Sequence, residues 1–213
     1  MPEFKGLILD WGGVLTTDLH SSMSAWADAE GVDLEAYASV MREWFGSSIE
    51  ATVNPIHALE RGEIEVPEFE DRLANALSKR LGRQIKAEDL LKRLFAHFGA
   101  AHDMTALVRR AKAAGIHTAL LSNSWGNTYP DHLFDGMFDV VVISGEVGMR
   151  KPEPEIFHYT LKKMDLPATA CVFVDDIRQN IDSAVQLGIV GIHHKSYHET
   201  AQELDVLFGM NLS

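Results

Sequence analysis

Five side chains, far apart in the sequence, have types that could do chemistry together: Asp10, Ser122, Lys151 and the adjacent pair Asp175-Asp176. Three of these positions end a short apolar run: Leu7-Ile-Leu before Asp10, His117 to Leu121 before Ser122, and Cys171 to Val174 before the acid pair. Lys151 lies between the second and third runs. Runs of this kind suit strands covered on both faces of a parallel sheet. The carboxyl ends of such strands lie along one edge, where open α/β sheets bind ligands. Two adjacent acids facing a third would repel unless protons or a cation intervened, and oxygen-only donors suit a hard ion such as magnesium (Mg2+). A lysine and a hydroxyl beside that ion would hold the oxygens of a phosphoryl group. Taken singly, each has a plainer reading. Asp10 could form a turn with Gly12 and Gly13, Ser122-Asn123-Ser124 could cap a helix, Lys151 could be a solvated charge, and Asp175-Asp176 could open a helix. The set together has a logic that caps do not supply.

The elements that must position these groups follow from periodicity. Residues 17–100 read as mostly helical. Leu34, Tyr37, Val40, Met41, Trp44 and Phe45 form one stripe; Phe69, Leu73, Leu77 and Leu81 form a second, opened by Val66-Pro67-Glu68 and closed by Gly82. Leu90, Leu91, Leu94, Phe95 and Phe98 form a third. Several helices in succession break an alternating β/α plan, and the simplest solution is a helical bundle inserted into a sheet domain. From Asp103 the alternation resumes. A helix closed by Gly115 leads to a strand from His117, a strand over 140–143 and a helix carrying Ile156, Tyr159, Thr160 and Met164. Then come the strand from Cys171, a helix carrying Ile177, Ile181, Ala184 and Val185, a strand over 189–192 and a helical tail from Glu199. The expected class is α/β: a doubly wound parallel (Rossmann-like) sheet formed by 1–16 and 101–213, with a helical cap over 17–100.

The 213 residues are 46% hydrophobic, enough for one core plus an inserted subdomain, and the net charge is −12. That charge argues against nucleic acid, whose backbone needs a basic face, and against an anionic membrane surface. No apolar run reaches the roughly 18 residues of a spanning helix, and no signal-peptide pattern opens the chain. The lone Cys171 sits in an apolar run, excludes an intrachain disulfide and reads as a buried structural thiol. A cytoplasmic location is the expectation. The His193-His194 doublet has no third ligand at a helpful spacing and reads as a strand exit.

Four segments carry a resemblance to a known family: Asp10-Trp-Gly-Gly-Val, Leu121-Ser122-Asn123, Arg150-Lys151-Pro152-Glu-Pro and Val174-Asp175-Asp176. In order and placement they resemble the four motifs of the haloacid dehalogenase superfamily of hydrolases, in the branch whose helical cap follows the first strand. The segment Arg61-Gly-Glu-Ile64 is similar to one in the phosphatase-like domains attached to epoxide hydrolases and to some acyl-CoA dehydrogenases. The resemblance implies that Asp10 attacks phosphorus to give an aspartyl-phosphate that water hydrolyses. It implies that Ser122 and Lys151 bind the phosphoryl oxygens, with Asn123 and Gly13 in the substrate-binding set. It places magnesium on Asp10, Asp176, the Gly12 carbonyl and Asp175, the last directly or through water. The partner implied is a small phosphorylated molecule.

One departure matters. Phosphatases of the family carry a second aspartate two residues after the nucleophile, as acid and then base, and this chain has Gly12. General acid–base catalysis is worth roughly 10²–10⁴-fold. The substitute donors within the cap are Asp18, His20, His57 and Glu60, each with a plain surface role as its alternative. Two rival functions follow from the same motifs. A haloacid dehalogenase attacks carbon and needs neither that acid nor a metal, so the Asp175-Asp176 pair speaks against it. A phospho-ligand sensor would keep the cradle without turnover.

Overall fold

The computed structural model describes residues 4–17, 19–46, 54–126, 129, 134 and 136–213. Five strands form one parallel sheet: β1 (Gly6–Leu9), β2 (His117–Ser122), β3 (Val140–Ile143), β4 (Cys171–Asp175) and β5 (Val190–His193), in the order β3-β2-β1-β4-β5. The order reverses at β1, so the edge beyond its carboxyl end is a topological switch point. Leu9 is level with Leu120 of β2 and Val174 of β4. Asp10 and Asp175 therefore emerge side by side, with Ser122 one residue further along the neighbouring strand.

Alternation along the strands separates the two faces. Leu7, Leu9, Leu120, Val172 and Val174 pack on one face with Met104, Leu107 and Val108 of α6 (His102–Ala113) and Leu204 of α10 (Tyr197–Phe208). Ile8, Ala119, Leu121 and Phe173 pack on the other with Phe157 of α8 (Pro154–Met164) and Ile181 of α9 (Arg178–Gln186). Cys171 is fully buried there, and burial pushes its thiol up to about 11, in keeping with a structural role.

Between β1 and α6 the described residues form five helices: α1 (Leu19–Glu30), α2 (Leu34–Gly46), α3 (Pro55–Glu60), α4 (Val66–Leu81) and α5 (Leu90–Phe95). They enclose a hydrophobic cluster of their own, with Trp26, Val40, Ile56, Phe69, Leu73, Leu77, Leu90 and Leu94 drawn from all five. The chain enters and leaves this bundle through a narrow neck, where Thr16 bridges Ala100 in antiparallel fashion, Thr17 N donates to the Gly99 carbonyl at 2.7 Å and Ala101 N to the Leu15 carbonyl at 2.9 Å. The expected caps are in place on α4, with Pro67 in the first turn and Gly82 in the left-handed conformation at its end. Among the described residues no helix is long and apolar enough to cross a membrane.

Three helices had no stripe to announce them. Helix α1 buries one large apolar side chain, Trp26, alongside Ser22 and Ala27. Helix α3 has only six residues, although its start is signalled by Asn54, whose side chain accepts from Ile56 N at 2.9 Å, followed by Pro55. The four-residue α7 (Ser144–Val147) lies between the strand over 140–143 and Gly148, too short to show a period. The third stripe also stops short: α5 ends at Phe95, and His97 and Phe98 continue as tight turns.

The bundle is fastened to the sheet domain by charge. Glu60, at the end of α3, pairs with Arg150, both of them buried, and accepts from the half-buried Trp125 Nε1 at 2.9 Å. Beside it Arg61 pairs with Glu153, its Nε at 3.2 Å from Glu153 Oε2. Removing one member of a buried pair leaves the other charge uncompensated, at a cost of about 3–5 kcal/mol. Glu60→Leu should therefore lower stability in urea unfolding by about 3 kcal/mol, whereas Arg72→Leu, which removes an exposed pair with Glu68, should change it by less than about 1 kcal/mol.

Candidate active site

Asp10 leaves β1 with its backbone N still bonded to the Val174 carbonyl at 3.0 Å, so its position is fixed by the sheet itself. Lys151 approaches from the loop before α8, and its Nζ donates to Asp10 Oδ1 and to Asp175 Oδ2, both at 2.7 Å. It is 1% exposed. An ammonium so deeply buried is tolerable only when paired and hydrogen-bonded. Asn123 holds the lysine's backbone from β2: its Nδ2 donates to the Lys151 carbonyl at 3.0 Å, and its Oδ1 accepts from Lys151 N at 2.9 Å. Both ends of that amide face Lys151, which makes Asn123 a positioning group for it.

Asp175 is the most heavily bonded acid of the set. Its Oδ1 accepts from Ile177 N at 2.8 Å and Asn180 Nδ2 at 3.1 Å, and its Oδ2 from Lys151 and from Asn180 Nδ2 at 3.0 Å. Asp176 lies next to it, its carbonyl held by His193 Nε2 at 2.9 Å, and His194 N bonds the Asp175 carbonyl. The histidine doublet thus ties β5 to the acid pair through the backbone. Ligand atoms of Asp10, Asp175 and Asp176 all lie within 4.8 Å of one another. Three carboxylates around one ammonium form a donor set of hard oxygens with surplus negative charge, which fits magnesium.

The glycines differ. A Cβ on Gly13 would lie 2.2 Å from Asp176 Oδ2, and Gly13 has φ of 72°, so both the approach of the acid and the turn require glycine there. Its N–H donates to Thr16 Oγ1 at 2.9 Å. Gly12 has neither constraint: nothing lies within 4 Å of a Cβ there, and its φ is not positive.

Ser122 is buried and shares a 2.9 Å hydrogen bond with the Tyr129 hydroxyl, whose ring stands edge-on to Trp11. Burial pushes the Tyr129 phenol up to about 12, so it stays protonated. Sequence reasoning missed Tyr129 because its loop carries no periodic signal. Of the substitute donors, Glu60 is committed to Arg150 and Trp125. His57 lies against Phe45, lowered to about 4 by burial and by Arg150 and Arg61. His20 is exposed, and Asp18 falls outside the described residues.

Without a cation, burial and the neighbouring Asp175 and Asp176 push Asp10 up to about 7, although Lys151 pulls the other way. Burial and Asp175 push Asp176 up to about 6. Both values exceed those of unfolded aspartate, near 3.9. The metal-free folded state therefore holds protons that the unfolded chain has released, and this contribution to stability is lost as pH rises through about 4 to 7. Magnesium, which favours the ionised acids, should raise the melting temperature more at about pH 8 than at about pH 5. Asp176→Ala should remove most of that gain; a metal-independent melting temperature in the unmutated protein would refute the site.

Residues 4–188 match the family model of haloacid dehalogenase-like hydrolases. Among curated proteins, the sesquiterpene phosphatase astK of Aspergillus oryzae is 33% identical over 110 residues, 50% of this chain and 56% of that protein. The chain thus spans about half the length of that relative. The D-ribitol-5-phosphate phosphatase of Bacteroides thetaiotaomicron is 23% identical over 215 residues, 95% of this chain and 98% of that protein. Among solved structures, a family enzyme of Bacteroides thetaiotaomicron, crystallised with magnesium and inorganic phosphate, superposes with a TM-score of 0.64 at 22% identity, covering 90% of this chain and 94% of that one.

Proposed function

The chain belongs to the haloacid dehalogenase-like hydrolases, and on that footing we propose that it is a magnesium-dependent phosphatase with Asp10 as nucleophile. The observation that carries this reading is the cluster of Asp10, Asp175 and Asp176 around Lys151, a surplus of buried negative charge at the switch point of the sheet. A dehalogenase needs no such surplus, because attack on carbon expels a halide without metal assistance. The boundaries we assign are 1–16 and 101–213 for the core and 17–100 for the cap, supported by the separate cluster inside the helical bundle and by the neck at Thr16 and Ala100.

Each chemical role follows from position. Lys151 holds Oδ1 of Asp10, which leaves Oδ2 to attack. The new bond joins that oxygen to phosphorus, the ester P–O bond breaks, and the leaving oxygen departs as an oxyanion with the bonding pair and takes its proton from water. Water then cleaves the aspartyl-phosphate to give inorganic phosphate. Asp10 and Asp176 would hold magnesium, with the Gly12 carbonyl as a further ligand and Asp175, whose oxygens are heavily committed, acting through Lys151 and Asn180. When bound, the ion offsets negative charge on the phosphoryl oxygens. Ser122 and Lys151 supply the remaining donors to those oxygens, and Tyr129 sets the direction of the Ser122 hydroxyl. The two phosphatase relatives carry names that point to different organic groups, one a terpenoid and the other a polyol. The family alone therefore does not select the substrate.

Two substitutions test the mechanism. Asp10→Asn keeps the shape and loses the attacking charge, so hydrolysis of an aryl phosphate should fall to background while magnesium-free melting is retained; near-normal turnover would exclude Asp10 as nucleophile. Gly12→Asp restores the family's acid at a position with open space and no left-handed constraint. It should raise turnover of alkyl phosphates by about tenfold or more and change aryl phosphates little, since only the poorer leaving group needs the proton. Equal effects on both esters would show that proton donation is not what position 12 lacks.

A further inference from the structure

The cavity above the carboxylate cluster has a volume of about 470 Å³, within the roughly 300–1,000 Å³ typical of small-molecule sites. Its floor is polar and includes Ser122, Lys151 and Asp176. Its upper part is made by the cap: Met23 of α1, Tyr37 and Phe45 of α2, Leu94 and Phe95 of α5, and Phe98 just after it. Among the described residues, Glu60 is the one carboxylate the cap adds to the lining, and its oxygens face Trp125 and Arg150. Burial pushes the Tyr37 phenol above its usual range, which keeps it neutral. Among the described lining residues Lys151 is the one cation, and it belongs to the floor.

We propose that the organic part of the substrate is a bulky hydrocarbon group, so that the enzyme takes phosphate monoesters of long apolar alcohols in preference to polyol phosphates. The inference rests on the phosphatase reading and adds the group that the cap admits. The occupant follows from continuity: floor and upper part are one cavity, so a phosphoryl group held at Ser122 and at Lys151, the partner of Asp10, leaves its alkyl or terpenoid tail among Met23, Phe95 and Phe98. A polyol placed there would meet aromatic and aliphatic walls with its hydroxyls stripped of water.

The test is a series of n-alkyl phosphates from ethyl to dodecyl, kept below their micelle concentrations, with a five-carbon polyol phosphate alongside. Leaving-group acidity is nearly constant across the alkyl series, so chain length is isolated from the Gly12 question. Each methylene buried is worth about fourfold, so kcat/KM should climb by up to about fourfold per methylene until the cavity is full. Phe95→Asp should flatten that slope, while its magnesium-dependent rise in melting temperature shows that the fold and floor persist. A flat series, or a polyol phosphate that outruns hexyl phosphate, overturns the inference and leaves the phosphatase reading standing. If no ester is hydrolysed, aryl esters included, the phosphatase reading fails. Calorimetric binding of the matching alkyl phosphonates to the Asp10→Asn protein then decides the cavity separately: affinity that rises with chain length supports it, and length-independent binding overturns it.

Discussion

One buried ammonium organises the active end of this molecule. Lys151 bridges Asp10 at the end of β1 and Asp175 at the end of β4, and Asn123 from β2 grips its main chain. The ends of β1 and β4 and the loop before α8 are thereby locked through a single side chain, and the residue after β2 holds the same loop by its main chain. Desolvating an ammonium costs several kcal/mol unless its partners repay it, so the lysine cannot leave without exposing two acids to each other. The balance is still incomplete, since one positive charge faces three carboxylates. Burial first, and that residual negative charge after it, push Asp10 and Asp176 upward, and a divalent cation would offset the charge.

The same crowding dictates the glycines. Asp176 comes so close to the turn after β1 that no side chain fits at Gly13, and the turn itself requires the left-handed conformation there. Gly12, its neighbour, stands in open space. Two adjacent glycines thus have different physical meanings: one is demanded by the close approach of Asp176 and by the turn, and the other by neither space nor backbone conformation.

Much of this was legible in the sequence, for identifiable reasons. Strands β1 and β4 are continuous apolar runs, β2 becomes one after His117-Thr118, and all three lead into polar residues, so both the doubly wound class and the convergence of Asp10, Ser122, Lys151, Asp175 and Asp176 could be read from pattern and order. Helices α2 and α4 carry full stripes and were visible; α1, α3 and α7 are too short or too poor in large apolar residues to show a period. What the sequence could not convey was partnership. That Asn123 and Asp175 serve Lys151, that Tyr129 meets Ser122, and that Glu60 fastens cap to core rather than offering a proton, are matters of which atoms meet across 28, 24, 7 and 90 residues of chain.

The commitment of Glu60 also shapes what the cap can recognise. By pairing at the seam, it commits the one carboxylate that the described cap residues add to the lining and leaves aliphatic and aromatic side chains as the cap's main contribution to the cavity. The floor therefore favours a hydrated, highly charged group and the upper part a dehydrated, uncharged one, at opposite ends of a single space. An amphiphile satisfies both at once. A polyol phosphate satisfies only the floor and pays for each unpartnered hydroxyl with about 1–3 kcal/mol. Discrimination of this kind needs no dedicated contact to the tail, because exclusion of the polar competitor comes from what the cap does not offer.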